Sequence, residues 1–434
     1  MNIIQTALTV ALLTVTTSLR AQESMPAAPE PKGPLNLANA VALSLSNNPS
    51  LSAYSYDVRA AESQRIRAGY FPNPEVGLEV ENLPGSGSRS GADATETTLR
   101  LSQVIELGGK RARRLDEARL AGGLAAWDYE TKRLDVLANT TRRFIEVAAA
   151  QERLALAREA TALAETEREV VTQRVQAARS SAVEQKKAEI AVARAKLDEE
   201  HASHALLAAR KALVAMWGNE NAVFSSARAE FFSHGRPEAF GSLMARIGRN
   251  PDLARFALEA KLRDSQLRLA RTRGIPDVTL SAGVRQFADE NEWAGVFGVS
   301  VPLPFFDRGQ ADVYEALQMQ GKTEALSIAI RVQLASQLFG TYQELIHSVT
   351  ELDAMAKDIL PAAREVLRAT EEGYKQGRFS YLELADARRS LIELHRANLE
   401  AAFNYHISLA DIDRLIGTAA LAPQSPEPSA KKKN

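Results

Sequence analysis

Two kinds of hydrophobic spacing alternate along this chain, and the alternation is written twice. Residues 35 to about 70 are Ala-rich with helical spacing, and Pro72 and Pro74 end that run because neither can continue a helix. Period two follows. Val76, Leu78 and Val80 point one way while Glu75, Gly77, Glu79 and Glu81 point the other, which predicts a strand with one apolar and one wet face. After a Gly/Ser-rich turn, Leu99 and Leu101 alternate with Arg100 and Ser102 within residues 95–105. From Lys110 to about Gln176 there is no proline, and Leu134, Leu137, Thr141, Ile145 and Ala148 fall three and four apart, predicting one very long helix. At ~1.5 Å per residue it reaches on the order of 100 Å, more than a globular domain needs.

The second half repeats this order. "SLSNNPSL" from Ser44 returns as "IGRNPDL" from Ile247, so that Asn48-Pro49 maps onto Asn250-Pro251, 202 residues on. "SQVIELGGKRARRLDEA" from Ser102 returns as "SVPLPFFDRGQADVYEA" from Ser300, 198 residues on. Val278, Leu280, Ala282 and Val284 alternate with polar neighbours, and Trp293, Gly295, Phe297, Val299, Val301 and Leu303 share one face. From Gln310 to about residue 372, Leu338, Tyr342, Leu345, Val349, Leu352, Met355 and Ile359 form a heptad-like seam, in which Pro361 predicts a kink. Each long helix turns at a tip, "QAARSS" or "YKQGRFS", with Arg179 and Arg378 199 residues apart, and returns on a helix ending at Trp217-Gly218 or Ile416-Gly417.

The organisation expected is therefore two structural repeats, 35–218 with a hairpin at about 75–105 and 242–417 with a hairpin at about 277–304. Residues 219–241, where the helical pattern fails, connect them. The helical seams are narrow and rich in alanine, which suits a one-layer wall of helices wet on both sides better than a globule with a thick core. A long structural coiled coil would share that pattern.

The ends are read from composition. Residues 3–13 are an apolar run of signal-peptide length and Ala21 is a small residue at a suitable cleavage point, so residues 1–21 read as an export signal, although no Lys or Arg precedes the run. Residues 22–34 form a Pro-rich linker, and residues 418–434 a disordered basic tail. No later run is long and apolar enough for a transmembrane helix. With 53 basic against 54 acidic residues the chain is near neutral, so bulk charge indicates no nucleic-acid partner. Cysteine is absent, which removes disulfides, thiolate metal sites and a Cys nucleophile together.

Strands of about ten residues suit a membrane span, yet four cannot close a barrel, and an open sheet in lipid leaves backbone groups unpaired. Several protomers must then pool their hairpins, and three would give twelve strands. The competing arrangement is a soluble four-stranded sheet capping the helices.

The order helix, hairpin, long helical hairpin, written twice, with "TTLRLSQVIELGGKRARRLDEA" and "GVSVPLPFFDRGQADVYEA" after the two hairpins, resembles the outer membrane efflux protein (TolC-like) family over nearly all of residues 35–417. "SQVIELGGKR" is most similar to its CzcC-like heavy-metal efflux branch. The resemblance implies a mainly α fold with a small β part. It implies a homotrimer whose twelve-stranded transmembrane β-barrel sits in outer-membrane lipid above a periplasmic α-barrel, with an equatorial belt drawn from 219–241 and the tail. It also implies a passive exit duct, with heavy-metal cations as cargo, that works with a periplasmic adaptor protein and an inner-membrane proton-driven pump of the RND type. A duct for drug efflux or type I protein secretion would share the architecture. No Cys follows the signal, so no lipid anchor of the kind some relatives carry is expected.

In this family, acids just after the second tip narrow the periplasmic end. That pattern matches "GRFSYLELADARRS" and puts Glu383 and Asp386 in those places; their i, i+3 spacing sets both carboxylates on one helix face. Arg179, Ser180, Gly377 and Arg378 are the candidates for adaptor docking by their position at the tips. His201 and His204 lie three apart, but no further His or Cys is close in sequence, so they read as surface or packing residues and no metal site is assigned. Gly108-Gly109 and Asp307–Gly309 lack nucleotide-binding fingerprints and read as strand-to-helix turns. No catalytic constellation stands out, so neither enzymatic activity nor a cofactor is expected.

Overall fold

The computed structural model describes residues 32–83, 86–87, 94–289 and 291–418. The export signal, most of the linker and nearly all of the basic tail lie outside the described residues. The elements run α1 (Leu37–Asn47), α2 (Pro49–Ala68), β1 (Glu75–Glu81), β2 (Glu96–Ile105), α3 (Lys110–Gln176) and α4 (Ala182–Val214). The second repeat follows with α5 (Phe240–Arg246), α6 (Pro251–Ala270), β3 (Val278–Phe287), β4 (Glu292–Ser300), α7 (Gln310–Ala354), α8 (Leu360–Lys375) and α9 (Tyr381–Ile416).

Three features differ from the sequence expectation. The helix expected over 35–70 is two helices, because Asn48 is held extended before Pro49 and its side chain caps α2 through the amide of Leu51. The proline then sits in the first turn of the new helix, where its missing N–H costs nothing. The break near Pro361 is a π turn, Met355–Ile359, lying before the proline rather than at it. Pro361 has no N–H to offer the preceding turn, and the wider turn accommodates that loss. The seam consequently advances by one residue: Leu352 and Met355 are buried, Ile359 is 37% exposed, and Leu360 takes the buried place.

The third difference is at mid-height. Gly33 and Leu35 pair with the connector, the amide of Leu35 donating to Ser226 O at 2.8 Å and that of Arg228 donating to Leu35 O at 2.8 Å. Leu35, Phe224, Ala227 and Phe231 then cover Phe144, Val147 and Ala148 of α3 and Ala402 and Tyr405 of α9. There the wall is two layers thick, and the main core sits at this level.

The four strands form one antiparallel sheet in the order β1-β2-β3-β4, so the two hairpins join through β2 and β3. Register puts Leu78 opposite Leu99, Leu99 opposite Val284, and Ala282 opposite Phe297, merging the apolar faces of all four strands into one. Arg100 with Glu79, and Arg285 with Glu81 and Glu96, occupy the other face. At the foot of the sheet, Gly109 and Gly309 hold matching left-handed conformations (φ 69° and 76°) that turn a strand into a long helix.

Candidate channel wall and periplasmic tip

The helices form a single row. Beneath the sheet the neighbours are α2, α3, α6 and α7; toward the tips they are α4, α3, α9 and α8. The row has two sides, and α3 identifies them. Lys110 pairs with Asp277 at 2.8 Å and Arg114 with Glu106, both acids being on the polar side of the sheet. At about 100° per residue, Arg142 and Arg153 fall within roughly 40° of Lys110 around the helix, whereas Phe144 and Gln151 fall on the opposite half. Gln151 exchanges hydrogen bonds with the backbone of Ala227 in the connector, at 2.7 and 2.9 Å. The polar sheet face and the connector therefore lie on opposite sides of the wall.

The polar side carries cross-helix ion pairs. Arg414 of α9 reaches Asp135 of α3 at 2.7 Å and Asp252 of α6 at 2.8 Å, and Arg142 pairs with Asp411. These groups line a recess of about 360 Å³ and tie the two repeats together.

The tips are built alike. Ala178 (φ 54°) and Gly377 (φ 75°) take the left-handed conformation one residue before Arg179 and Arg378. The amides of those arginines donate back to Arg174 O and Gly373 O, each at 2.8 Å. Arg179 and Arg378 are exposed at the ends of the two hairpins, and Ser180 Oγ accepts from Arg174 Nε at 3.3 Å. All four residues singled out for docking thus sit at the tips.

Glu383 and Asp386 occupy the first two turns of α9, both exposed. Glu383 forms a capping box: Ser380 N donates to Oε2 at 2.7 Å and Ser380 Oγ donates to it at 2.8 Å. That backbone donor holds the Glu383 carboxyl below the usual carboxylate range. Asp386 pairs with Arg389 at 2.7 Å. His201 and His204 are both exposed on α4.

A buried cluster just above the tip was not anticipated. Arg388 of α9 pairs with Glu167 of α3 at 3.0 Å and Glu371 of α8 at 2.7 Å, with side-chain exposures of only 13% and 9% for Arg388 and Glu167. Burial, then the nearby Glu167 charge, pushes the Tyr381 hydroxyl well above its ordinary value. Arg174 lies 4.4 Å from the ring of Tyr374 and donates to Tyr374 O at 3.1 Å. Tyr374, Tyr381 and Arg388 recur at seven-residue intervals, a spacing visible in the sequence.

The family described as outer membrane efflux protein matches residues 40–219 and 245–418, and the chain belongs to that family. It is 30% identical to the cobalt-zinc-cadmium resistance protein CzcC of Cupriavidus metallidurans over 388 residues, 89% of this chain and 91% of the relative. It is 26% identical to the nickel-cobalt-cadmium resistance protein NccC of Alcaligenes xylosoxydans over 290 residues, covering 67% and 65%. A solved membrane protein from Pseudomonas aeruginosa shares the fold with a TM-score of 0.75 at 21% identity, over 88% of this chain and 90% of that one. The protein is an outer-membrane efflux channel with a helical tunnel in the periplasm.

Proposed function

We propose that three copies close head to tail into a duct that releases heavy-metal cations across the outer membrane. The observation that carries this reading is the pair of unmatched edges. Pooling three four-stranded sheets gives twelve strands and leaves no unpaired strand edge in lipid. Toward the tips one edge, α4, exposes Val183, Ile190 and Leu197 at heptad spacing and the other, α8, exposes Val366; beneath the sheet one edge, α2, exposes Tyr56 and Ile66 and the other, α7, exposes Ile328, Val332 and Phe339. Two different surfaces meeting repeatedly form a closed ring when the rotation permits. The apolar sheet face then meets lipid, and the polar face lines the pore.

Names of the relatives support metal cations as cargo. The tips bearing Arg179, Ser180, Gly377 and Arg378 dock a periplasmic adaptor, and an inner-membrane RND pump supplies the energy. Under threefold symmetry Glu383 and Asp386 become rings of negative charge that favour cations at the periplasmic entrance. Planar-bilayer recording tests this: Glu383→Ala with Asp386→Ala should raise single-channel conductance and weaken cation preference. Unchanged values in both would remove these residues from the gate.

A further inference from the structure

The wall surface on the connector side changes character just below the sheet. Leu107, beyond β2, and Leu303, beyond β4, follow the same two-residue alternation as the apolar face; Phe305 comes next, after a tight turn in which its amide donates to Leu303 O at 2.9 Å, and the three are 39%, 66% and 69% exposed. Beside them Phe71, exposed, lies under the guanidinium of Arg111 at 4.1 Å. Arg111 Nε donates to Gly69 O at 2.6 Å, and its two terminal nitrogens have no partner among the described residues. Arg271, at the end of α6, is exposed and its side chain has no partner among the described residues. Leu269 and Arg273 turn to the polar side with Lys110 and Arg114, and Arg271 stands roughly opposite them around the helix.

Farther down, a network of charges is answered within the chain. Asp116 pairs with Arg119 at 3.0 Å and Arg268 at 3.4 Å, and Arg268 also pairs with Asp264. The collar between the apolar face and this network presents Arg111 and Arg271, neither with an acid partner among the described residues, beside the exposed ring of Phe71. A guanidinium with free, forked donors above a ring is suited to phosphate at a lipid–water boundary. The position follows from the channel reading above, on which this step rests.

We propose that the collar binds anionic phospholipid of the periplasmic leaflet of the outer membrane, with Arg111 and Arg271 on the headgroup phosphate and Phe71, Leu107 and Phe305 seated at the level of the acyl esters. The test is thermal denaturation of the full-length detergent-purified trimer with added dioleoyl phosphatidylglycerol, dioleoyl phosphatidylcholine or inorganic phosphate. Phosphatidylglycerol should raise the melting temperature by about 4 °C over phosphatidylcholine. Arg271→Gln should remove most of that difference, Arg271→Gln with Arg111→Gln all of it, and Arg119→Gln, in the ion-pair network below, none. The Arg271 side chain has no hydrogen bond or ion pair among the described residues, so its substitution leaves folding intact. Equal effects of the two lipids, an equal effect of phosphate alone, or loss of the preference in Arg119→Gln would overturn the proposal while leaving the channel standing. A wild-type protein that forms no detergent-stable trimer would overturn the channel reading and this site with it.

Discussion

Asn250 Nδ2 donates to Leu415 O at 2.9 Å while Asn250 Oδ1 accepts from the amide of Asp252 at 2.8 Å, so one fully buried side chain ends α9 and begins α6. Asn48 repeats the arrangement between Met216 O and the amide of Leu51, at 2.7 and 3.0 Å. Each clasp docks a short helix against the end of its returning helix. Asn250→Ala removes a cap and leaves buried groups unpaired, so we expect a loss of about 2–4 kcal/mol. Asn48→Ala should act in the same direction. The midpoint of chemical denaturation reads both, and a change within experimental error would refute the clasp.

Arg388 answers two acids inside the tip bundle. Arg388→Met should cost about 3–5 kcal/mol, because it strands the Glu167 carboxylate in a buried place. Adding Glu167→Gln removes the stranded charge and should recover part of that loss. Failure of the double variant to exceed Arg388→Met in stability would show that the pair is not coupled.

The sequence makes periodic features legible. Both hairpins, the span of α3 and the two tips follow from apolar spacing and from the 199-residue interval between Arg179 and Arg378. What it hides is non-local. Asn48-Pro49 carries a helix-start signal, an Asn cap before proline, but the Ala-rich residues on either side read as one helix. The one-residue slip from Ile359 to Leu360 depends on how a π turn absorbs Pro361. Burial of Phe144 and Val147 comes from a connector nearly eighty residues on, and the partners Glu167 and Arg388 lie more than two hundred apart. At the candidate entrance, the i, i+3 spacing of Glu383 and Asp386 was readable. The second duty of Glu383 as a cap is readable too, since Ser380 precedes it by three.

That double duty separates structure from selectivity. Glutamine also completes a capping box, so Glu383→Gln should keep α9 intact while weakening cation preference, and Glu383→Ala should lose both. The carboxyl is held below its ordinary range, so its charge and the cap are fully present above the ordinary carboxylate pKa and are lost only as pH falls through the lowered value. Cation preference in wild-type channels should therefore persist at about pH 5. Equal reversal potentials for wild type and Glu383→Gln across that range would exclude Glu383 from selectivity.

His406 sets a second pH dependence, at the level of the connector. Its Nε2 lies 3.0 Å from Phe231 O, and its ring packs 5.1 Å from Tyr405 and 5.6 Å from Phe231. Burial lowers its pKa, outweighing the opposing effect of the Phe231 carbonyl. A lowered base favours the neutral form in the folded state. The stability it contributes is complete above the ordinary imidazole pKa of about 6.5 and declines as pH falls through the folded value. Between about pH 7 and pH 5 the melting temperature of the wild type should fall more steeply than that of His406→Gln, which keeps a polar group there without a titrating proton. Parallel curves for the two proteins would show that protonation of His406 does not loosen the grip of the connector on α9.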